Sequence, residues 1–530
     1  MALIFDREPF LIRARRLSRL TVPSLFRELG ANATTSEILP WQSGGSYGVN
    51  NLAAKMALAM FPPGIPFIKL KQSRKALLAL LDLPQDIRGD LKARIDEGLS
   101  GVEREFIEEI ALDGDSARLF DALRHMLVGG NYGLKCNEDA TLEGIHLENY
   151  VTLRDAGGKL YEFVTETPMA WETLPEDIQQ LCRSQGYEEK TTLSIQPPIC
   201  VYTHGKFQRG KWSVRQEVWG RTVPGSDGTY NDDALPYLFL RMGALPKENY
   251  GRSYCEDYEA DLQTEDALWQ IVTEGEAAIA RLITLIKPGG VTNKRQYAEA
   301  ANGAVITGDP ADVGYPDSRG KQSDFEAALN LADRVEKRLE RVFCINAAAT
   351  RDAERVTGEE IRFMAQELED TLGGAYANQV TTFQAPYARI KLNAYMRQKR
   401  VTLLPKGTVN VSIITGEAAL GRYRTSQTLD EFLGSVAQDL GGPQILAPYI
   451  RISNFLQRKA AALSLDTDGL VKSEDEVQAE QQQQQQQQML AQVAPEAIRQ
   501  GGQMVQNNQK AGLEAQAPAS TPAPAPAAAQ

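Results

Sequence analysis

Between Tyr258 and Leu372 the sequence runs through a long amphipathic helix, a glycine- and proline-rich stretch, a second amphipathic helix, an eleven-residue polar loop and a third helix. In the first helix Leu268, Ile271, Val272, Ile279, Leu282 and Ile286 recur at three- and four-residue steps, a single stripe that needs a partner to bury it. Lys287-Pro288-Gly289-Gly290 ends it, since proline offers no donor and glycine tolerates left-handed turns. From residue 291 to 323 helix-breaking residues recur too often for another helix, and short strands and turns are expected there. The second helix opens near Asp324 with Phe325, Ala328, Leu329, Ala332, Val335, Leu339 and Val342 on one face. Its remaining surface is sorted by charge: Arg334, Lys337, Arg338 and Arg341 fall together, and Glu326, Asp333 and Glu340 fall on a separate stripe. Three faces call for three different neighbours.

The loop that follows, residues 346–356 (NAAATRDAERV), is too polar to bury and carries two arginines. Thr357-Gly358-Glu359-Glu360 then reads as a capping box, in which the threonine oxygen accepts from the third helical amide and the glutamate reaches back. The loop is thus held between two helices and free in its middle.

At 530 residues the chain exceeds what one core can fill, and two or three packed regions are expected. A net charge of −12 argues against tight nonspecific DNA binding, whose affinity comes from neutralised phosphates. For a passage the same charge is suitable, because walls that must let a polyanion slide should not hold it. Five cysteines, odd in number and without a CxxC pair, point to a reducing compartment and no structural zinc. No apolar run reaches the roughly 20 residues that cross a bilayer, and the N-terminal MALIFDREPFLIRARR lacks a signal-peptide core, so folding in the cytosol is expected.

Along the rest of the chain, residues 10–27 form a basic amphipathic segment whose arginines suit packing on the neighbouring body better than nucleic acid or membrane. A loop over 37–48 precedes a helix over 49–61 stopped by Pro62-Pro63-Gly64, and 106–127 reads as one or two helices. Leu142 to Leu153, Ile199 to Thr203, Trp212 to Val218 and Tyr237 to Leu240 are short β-prone runs between turn residues, which predicts a mostly antiparallel sheet. Residues 383–400 read as helix, 409–414 as strand, and 426–440 and 448–462 as two further helices. Ser473 and Glu476 make another capping box ahead of eight glutamines, and the Gln-, Ala- and Pro-rich stretch 501–530 has too few large apolar residues to order. No internal repeat is present.

Catalytic signatures are sparse. There is no GxxxxGK[ST], because Gly320-Lys321 is followed by Gln322 and Gly158-Lys159 by Leu160. His125, His146 and His204 stand apart and belong to no HExxH, so no zinc site or other cofactor is expected. Gly44-Gly45-Ser46-Tyr47-Gly48 matches GxSxG, with His204 as a conceivable base, but Pro40 and the lack of an apolar run before it remove the strand half of a nucleophile elbow.

Five segments carry a resemblance: residues 48–70 (GVNNLAAKMALAMFPPGIPFIKL), 248–262 (ENYGRSYCEDYEADL), 355–362 (RVTGEEIR), 414–422 (ITGEAALGR) and 469–480 (GLVKSEDEVQAE). In combination and order they resemble the bacteriophage portal proteins, the head-to-tail connectors of short-tailed phages. The resemblance implies an α+β protomer: an α/β wing (1–257), a two-helix stem (258–286 and 324–345), a small β-containing clip (287–323), a tunnel loop (346–356), wing return helices and strand (357–425), a helical crown (426–480) and a largely disordered tail (481–530). It further implies a homododecameric ring at one capsid vertex of the virion, assembled in the host cytoplasm, with no catalytic residue, no metal and no cofactor. Its partners would be the terminase large subunit, the tail adaptor, scaffolding, major capsid and internal core proteins, and double-stranded DNA passing without sequence specificity; no membrane is involved. On that layout Arg351 and Arg355, then Lys337, Arg338 and Arg341, are the candidates for DNA contact, although a subunit-interface role suits the last three equally. Lys294, Arg295 and Tyr297 are the candidates for partner docking on the clip. Two alternatives remain: another structural virion protein such as a tail adaptor, and a serine hydrolase using Ser46.

Overall fold

The computed structural model describes residues 2–28, 30, 39–64, 66–72, 85–186, 197–280, 285–301, 304–314, 322–345, 358–401, 409–412 and 434–436. The chain divides into two units, Met1–Thr425 and Ser426–Gln530. Apart from one helical turn at 434–436, the second unit lies outside the described residues, and with it the expected helices over 426–440 and 448–462, the second capping box and the tail.

Helix α1 spans Ala2–Leu20, earlier at both ends than the 10–27 expected from its apolar period. Side-chain hydroxyls stop it: Thr21 Oγ1 donates to Leu17 O at 2.8 Å and Ser18 Oγ to Val22 O at 2.6 Å, substituting for backbone donors just before Pro23. Leu11, Ala14 and Leu17 face the core. The arginines bind the body of the protein, as their pattern suggested: Arg15 meets Glu148 at 2.6 Å and Arg16 meets Glu259 at 2.7 Å.

Helix α2 (Gly44–Met60) also begins earlier than expected and ends where Pro62-Pro63 removes two donors. β1 (Lys69–Gln72) follows. Then α3 (Gln85–Asp113) and α4 (Asp115–Gly129) are separated by Gly114, whose φ of 67° breaks the helical path at low cost.

Among the described residues all β-pairing is antiparallel. β2 (Asn131–Cys136) lies between β3 (Leu142–Ile145) and β10 (Tyr237–Arg241) in a three-stranded sheet. β4 (Tyr150–Arg154), β5 (Leu160–Met169), β6 (Ile199–Gln208), β7 (Lys211–Val218) and β8 (Arg221–Thr222) follow in order in a second sheet, with β9 (Gly228–Asn231) also paired to β7. The expected β-prone runs are therefore strands, except that Leu147 lies in a 3-10 turn. β5, and α5 (Glu176–Ser184) after it, carry no apolar run in sequence; β5 is recruited because Phe163 and Thr165 point inward, the Phe163 ring centroid lying 5.0 Å from those of Tyr237 and Phe239. Gly205 on β6 gives that ring its space, since a Cβ there would lie 2.2 Å from it.

Helix α6 (Glu259–Ala280) stops short of the expected Ile286, because Leu285–Ile286 is instead β11, paired with β12 (Val313–Gly314). A six-residue helix α7 (Lys294–Glu299) lies in the stretch expected to hold none, nucleated by Asn293, whose side chain accepts from the amides of Arg295 and Gln296. Helix α8 spans Gln322–Val342, and α9 spans Gly358–Leu372. The helix expected over 383–400 is the end of a longer run: α10 (Gly374–Gln379), a π-helical stretch over Val380–Gln384, and α11 (Ala385–Gln398). Strand β13 (Val409–Ser412) returns to pair with β1.

A buried ionic network ties α11 to the junction of α3 and α4. Lys391 is fully buried, with Nζ 2.8 Å from Asp113 Oδ2, 2.7 Å from Asp115 Oδ2 and 2.6 Å from Ala140 O. Tyr387 and Tyr395 donate to Asp115 and Asp113, each at 2.7 Å. Burial raises both carboxyls; for Asp113 the hydrogen bonds from Arg400, Lys391 and Tyr395 overcome it and hold the group below its ordinary value, whereas Asp115 stays above. Removing the cation would leave Asp115 buried without a counterion and Asp113 with Arg400 alone. Lys391→Met is therefore expected to cost about 3–5 kcal/mol, read as a lowered urea midpoint with an unchanged far-ultraviolet spectrum before the transition.

Candidate functional site

The two long helices α6 and α8 lie antiparallel. Asp261 meets Arg338 at 3.0 Å near one end, and at the other Gly275 lies under the Phe325 ring, where a Cβ would be 2.1 Å from it. Ala332, Val335 and Leu339 are buried on α8, and Leu262 and Val272 on α6. Other members of the anticipated stripes behave otherwise: Ile271 is exposed, and Leu268, Phe325, Ala328, Leu329 and Val342 are only half-buried. In a single protomer the hairpin has more apolar surface than it covers.

Every charged residue of α6 is acidic. One of them, Glu265, is buried at the first turn of α2; a Cβ on Gly44 would lie 2.7 Å from its Oε1, and its Oε2 has no hydrogen-bond partner. Burial pushes this carboxyl up to about 7, with Glu336 and Asp266 adding like-charge repulsion. Asp266 instead accepts from the Trp41 amide at 2.6 Å.

At the far end of α8 the chain is gripped by α2. Phe343 packs on Gly48, where a Cβ would lie 2.5 Å from the ring. Asn51 Nδ2 donates to the carbonyls of Phe343 and Cys344 at 3.0 and 3.1 Å, and Lys55 Nζ donates to Cys344 O at 2.7 Å and to Glu367 on α9 at 2.9 Å. Cys344 has a φ of 53°, so the helix ends there in a left-handed turn. Asn51 and Lys55 thus bind the last residues before the 346–356 loop to the helix that follows it. Sequence reading missed both, although a lysine one turn after an asparagine in the apolar run VNNLAAKMALAM was a signal for buried polar work.

The knob between the helices is tied by Asp312 and Thr292, both buried. Lys287 N donates to Asp312 O at 2.9 Å, Thr292 N to Asp312 Oδ2 at 3.1 Å, and Asp309 N to Thr292 Oγ1 at 2.9 Å.

Of the residues singled out from sequence, Lys337, Arg338 and Arg341 are exposed on α8, and Arg338 is shared with Asp261. Arg351 and Arg355 lie outside the described residues, as does Thr357 of the capping box. On α7, Lys294 and Arg295 are exposed and Tyr297 half-buried, with Arg295 paired to Glu299 at 2.9 Å. Ser46 sits inside the first turn of α2 and its hydroxyl donates to Ser43 O at 3.1 Å, so no strand-to-helix elbow presents it. His204 Nε2 is engaged by Glu162 Oε1 on the adjacent strand at 2.8 Å. Among the described residues no His, Cys, Asp and Glu cluster could hold a metal ion, and no helix is long and apolar enough to cross a membrane.

Comparison with known proteins adds a family. Residues 2–471 match the family model described as bacteriophage head to tail connecting protein. The portal protein of Escherichia phage T7 is 36% identical over 480 residues, covering 89% of this chain and 87% of that one. The portal protein of Enterobacteria phage T3 is 34% identical over 483 residues, with 89% and 87% covered. A solved structure, the neck of a native GTA particle, aligns at 13% identity over 74% of this chain and 85% of its own, with a TM-score of 0.30, too loose a superposition to bear on the fold.

Because Glu265 titrates near 7 in the folded protein, above the ordinary carboxylate value, the folded state holds this proton more tightly than the unfolded chain. Its contribution to stability is full at low pH and is lost as pH rises through about 7. Glu265→Gln keeps the shape without the charge. The thermal midpoints of variant and parent should nearly coincide at pH 5 and separate in favour of the variant by pH 8; a gap independent of pH would refute the assignment.

Proposed function

The chain belongs to the bacteriophage head to tail connecting protein family, and from that premise we propose how its parts serve a portal. It is a virion protein that forms a ring at one capsid vertex, through which the genome is packaged and later ejected, and which joins head to tail. The relatives are structural proteins, and the chemistry of packaging is left to a separate motor.

Within the protomer, α6 and α8 are the stem, the β11–β12 knob with α7 is the clip, residues 346–356 are the tunnel loop, and the sheets with α1 to α5 and α9 to α11 are the wing. The crown and tail follow in the second unit. One observation carries this reading: a paired antiparallel hairpin, capped at one end by a small hydrogen-bonded knob and clamped at the other, around the loop, by Asn51 and Lys55. A stem must keep its length while its tip is handled by changing partners. A hairpin whose tip is tied through Asp312 and Thr292, and whose second helix ends on carbonyls held by Asn51 and Lys55, meets that need.

The exposed Lys294 and Arg295, with Tyr297, form the docking face for the terminase large subunit during packaging and for the tail adaptor afterwards. Scaffolding, major capsid and internal core proteins meet the wing and crown. Arg351 and Arg355 contact duplex DNA in passage, and Lys337, Arg338 and Arg341 add sparse positive points on an otherwise acidic stem, enough to guide a polyanion without holding it. The subunit number is that of the dodecameric portals.

Negative-stain imaging of the purified protein should give a large ring with an open centre. In phage carrying Arg351→Ala with Arg355→Ala, rings should assemble normally while packaged DNA per particle falls severalfold. Normal packaging in that double variant would remove the loop assignment and leave the ring intact.

A further inference from the structure

We propose that the ring is closed by a head-to-tail contact in which the exposed Leu39–Trp41 edge of one protomer seats on the exposed Ile271 and Leu331 of the next copy of this chain. The proposal rests on the ring reading and assigns the surfaces that make it.

Both patches flank the same hairpin. On α6 the buried line runs through Leu262, Glu265 and Val272. A helix turns by about 100° per residue, so Asp266 and Ile271, five positions apart, fall on opposite sides of that line. The Trp41 amide donates to Asp266 Oδ1, which lays the 39–41 segment along the first side. Leu39 is 71% exposed there and Trp41 49%. On the second side Ile271 is 54% exposed.

Leu331 on α8 joins Ile271. It lies two turns before Arg338, hence on the same face of α8, and the ion pair of Arg338 with Asp261 fixes that face on the Ile271 side of α6. The antiparallel register set by Asp261 with Arg338 and Gly275 with Phe325 brings Leu331 within about one helical turn of the level of Ile271. Trp41, level with Asp266, is about 7 Å from that height along the axis, within reach of an indole side chain.

One protomer therefore presents two different apolar patches, at nearly one height, facing opposite ways around the hairpin. A closed ring of identical subunits needs this arrangement, since each contact joins unlike surfaces. Asp266 borders the first patch and the Asp261–Arg338 ion pair the second, so each apolar centre has a charged rim. A partner of another chemistry would need only one of the patches.

Two double variants test it in the full chain: Leu39→Ser with Trp41→Ser, and Ile271→Ser with Leu331→Ser. Each should keep the parent's circular dichroism and raise at least tenfold the concentration at which half the chains sediment as rings. A cysteine pair, Trp41→Cys with Leu331→Cys, provides a check that does not depend on folding losses. A short bismaleimide added to assembled rings of this pair should give a ladder of covalent oligomers, and neither single variant should yield one beyond the parent's background. Unchanged ring assembly in either serine variant, or rings of the paired variant that give no ladder, would overturn the contact. A parent chain that forms no ring at all would instead strike at the portal reading.

Discussion

The architecture depends on how closely one helix, α2, approaches its neighbours. Gly44 makes room for the Glu265 carboxyl, and Gly48 for the Phe343 ring, at distances that no other residue permits. From the same helix Asn51 and Lys55 reach the carbonyls that end α8, and Lys55 continues to Glu367 on α9. α2 therefore holds the start of α6, the end of α8 and, through Glu367, helix α9.

Buried charge is the second organising theme. Lys391 with Asp113 and Asp115, Lys55 with Glu367, and the isolated Glu265 sit where helices cross, away from the strands. Buried ion pairs add little net stability over apolar packing, but a misplaced partner is costly, so they select one helix register among several. For a subunit whose ring tolerates little error in helix height, register matters more than extra stability. Glu265 differs from the others in lacking a cation, and it makes the α2 junction sensitive to protons near neutrality.

The acidic composition takes on meaning in this setting. Helix α6 carries no basic residue over Glu259–Ala280, and the four basic side chains of α8 gather in its second half, from Arg334 to Arg341. On the proposed channel reading, such a surface would repel duplex along most of its length and attract it at few points. The aromatic core between the sheets, built on Phe163, Trp212, Tyr237 and Phe239, is by contrast ordinary sheet packing.

The sequence by itself determined which segments are helix and which are strand wherever one period of apolar residues ran long enough: α6, α8, and the strands around Trp212 and Tyr237. It also gave the order of elements, from which the family could be recognised, because order and periodicity are local properties of the chain. Element ends were less legible, as at Leu20, where hydroxyls replaced helix bonds, and at Leu285–Ile286, where a distant strand outcompeted the helical period. Only the tertiary structure decided which polar residues are buried and why. Asn51, Lys55 and Lys391 depend on carbonyls and carboxylates more than a hundred residues away, and Glu265 is buried against the distant Gly44; even where an apolar run hints that a polar side chain is buried, no local pattern encodes such distant partners.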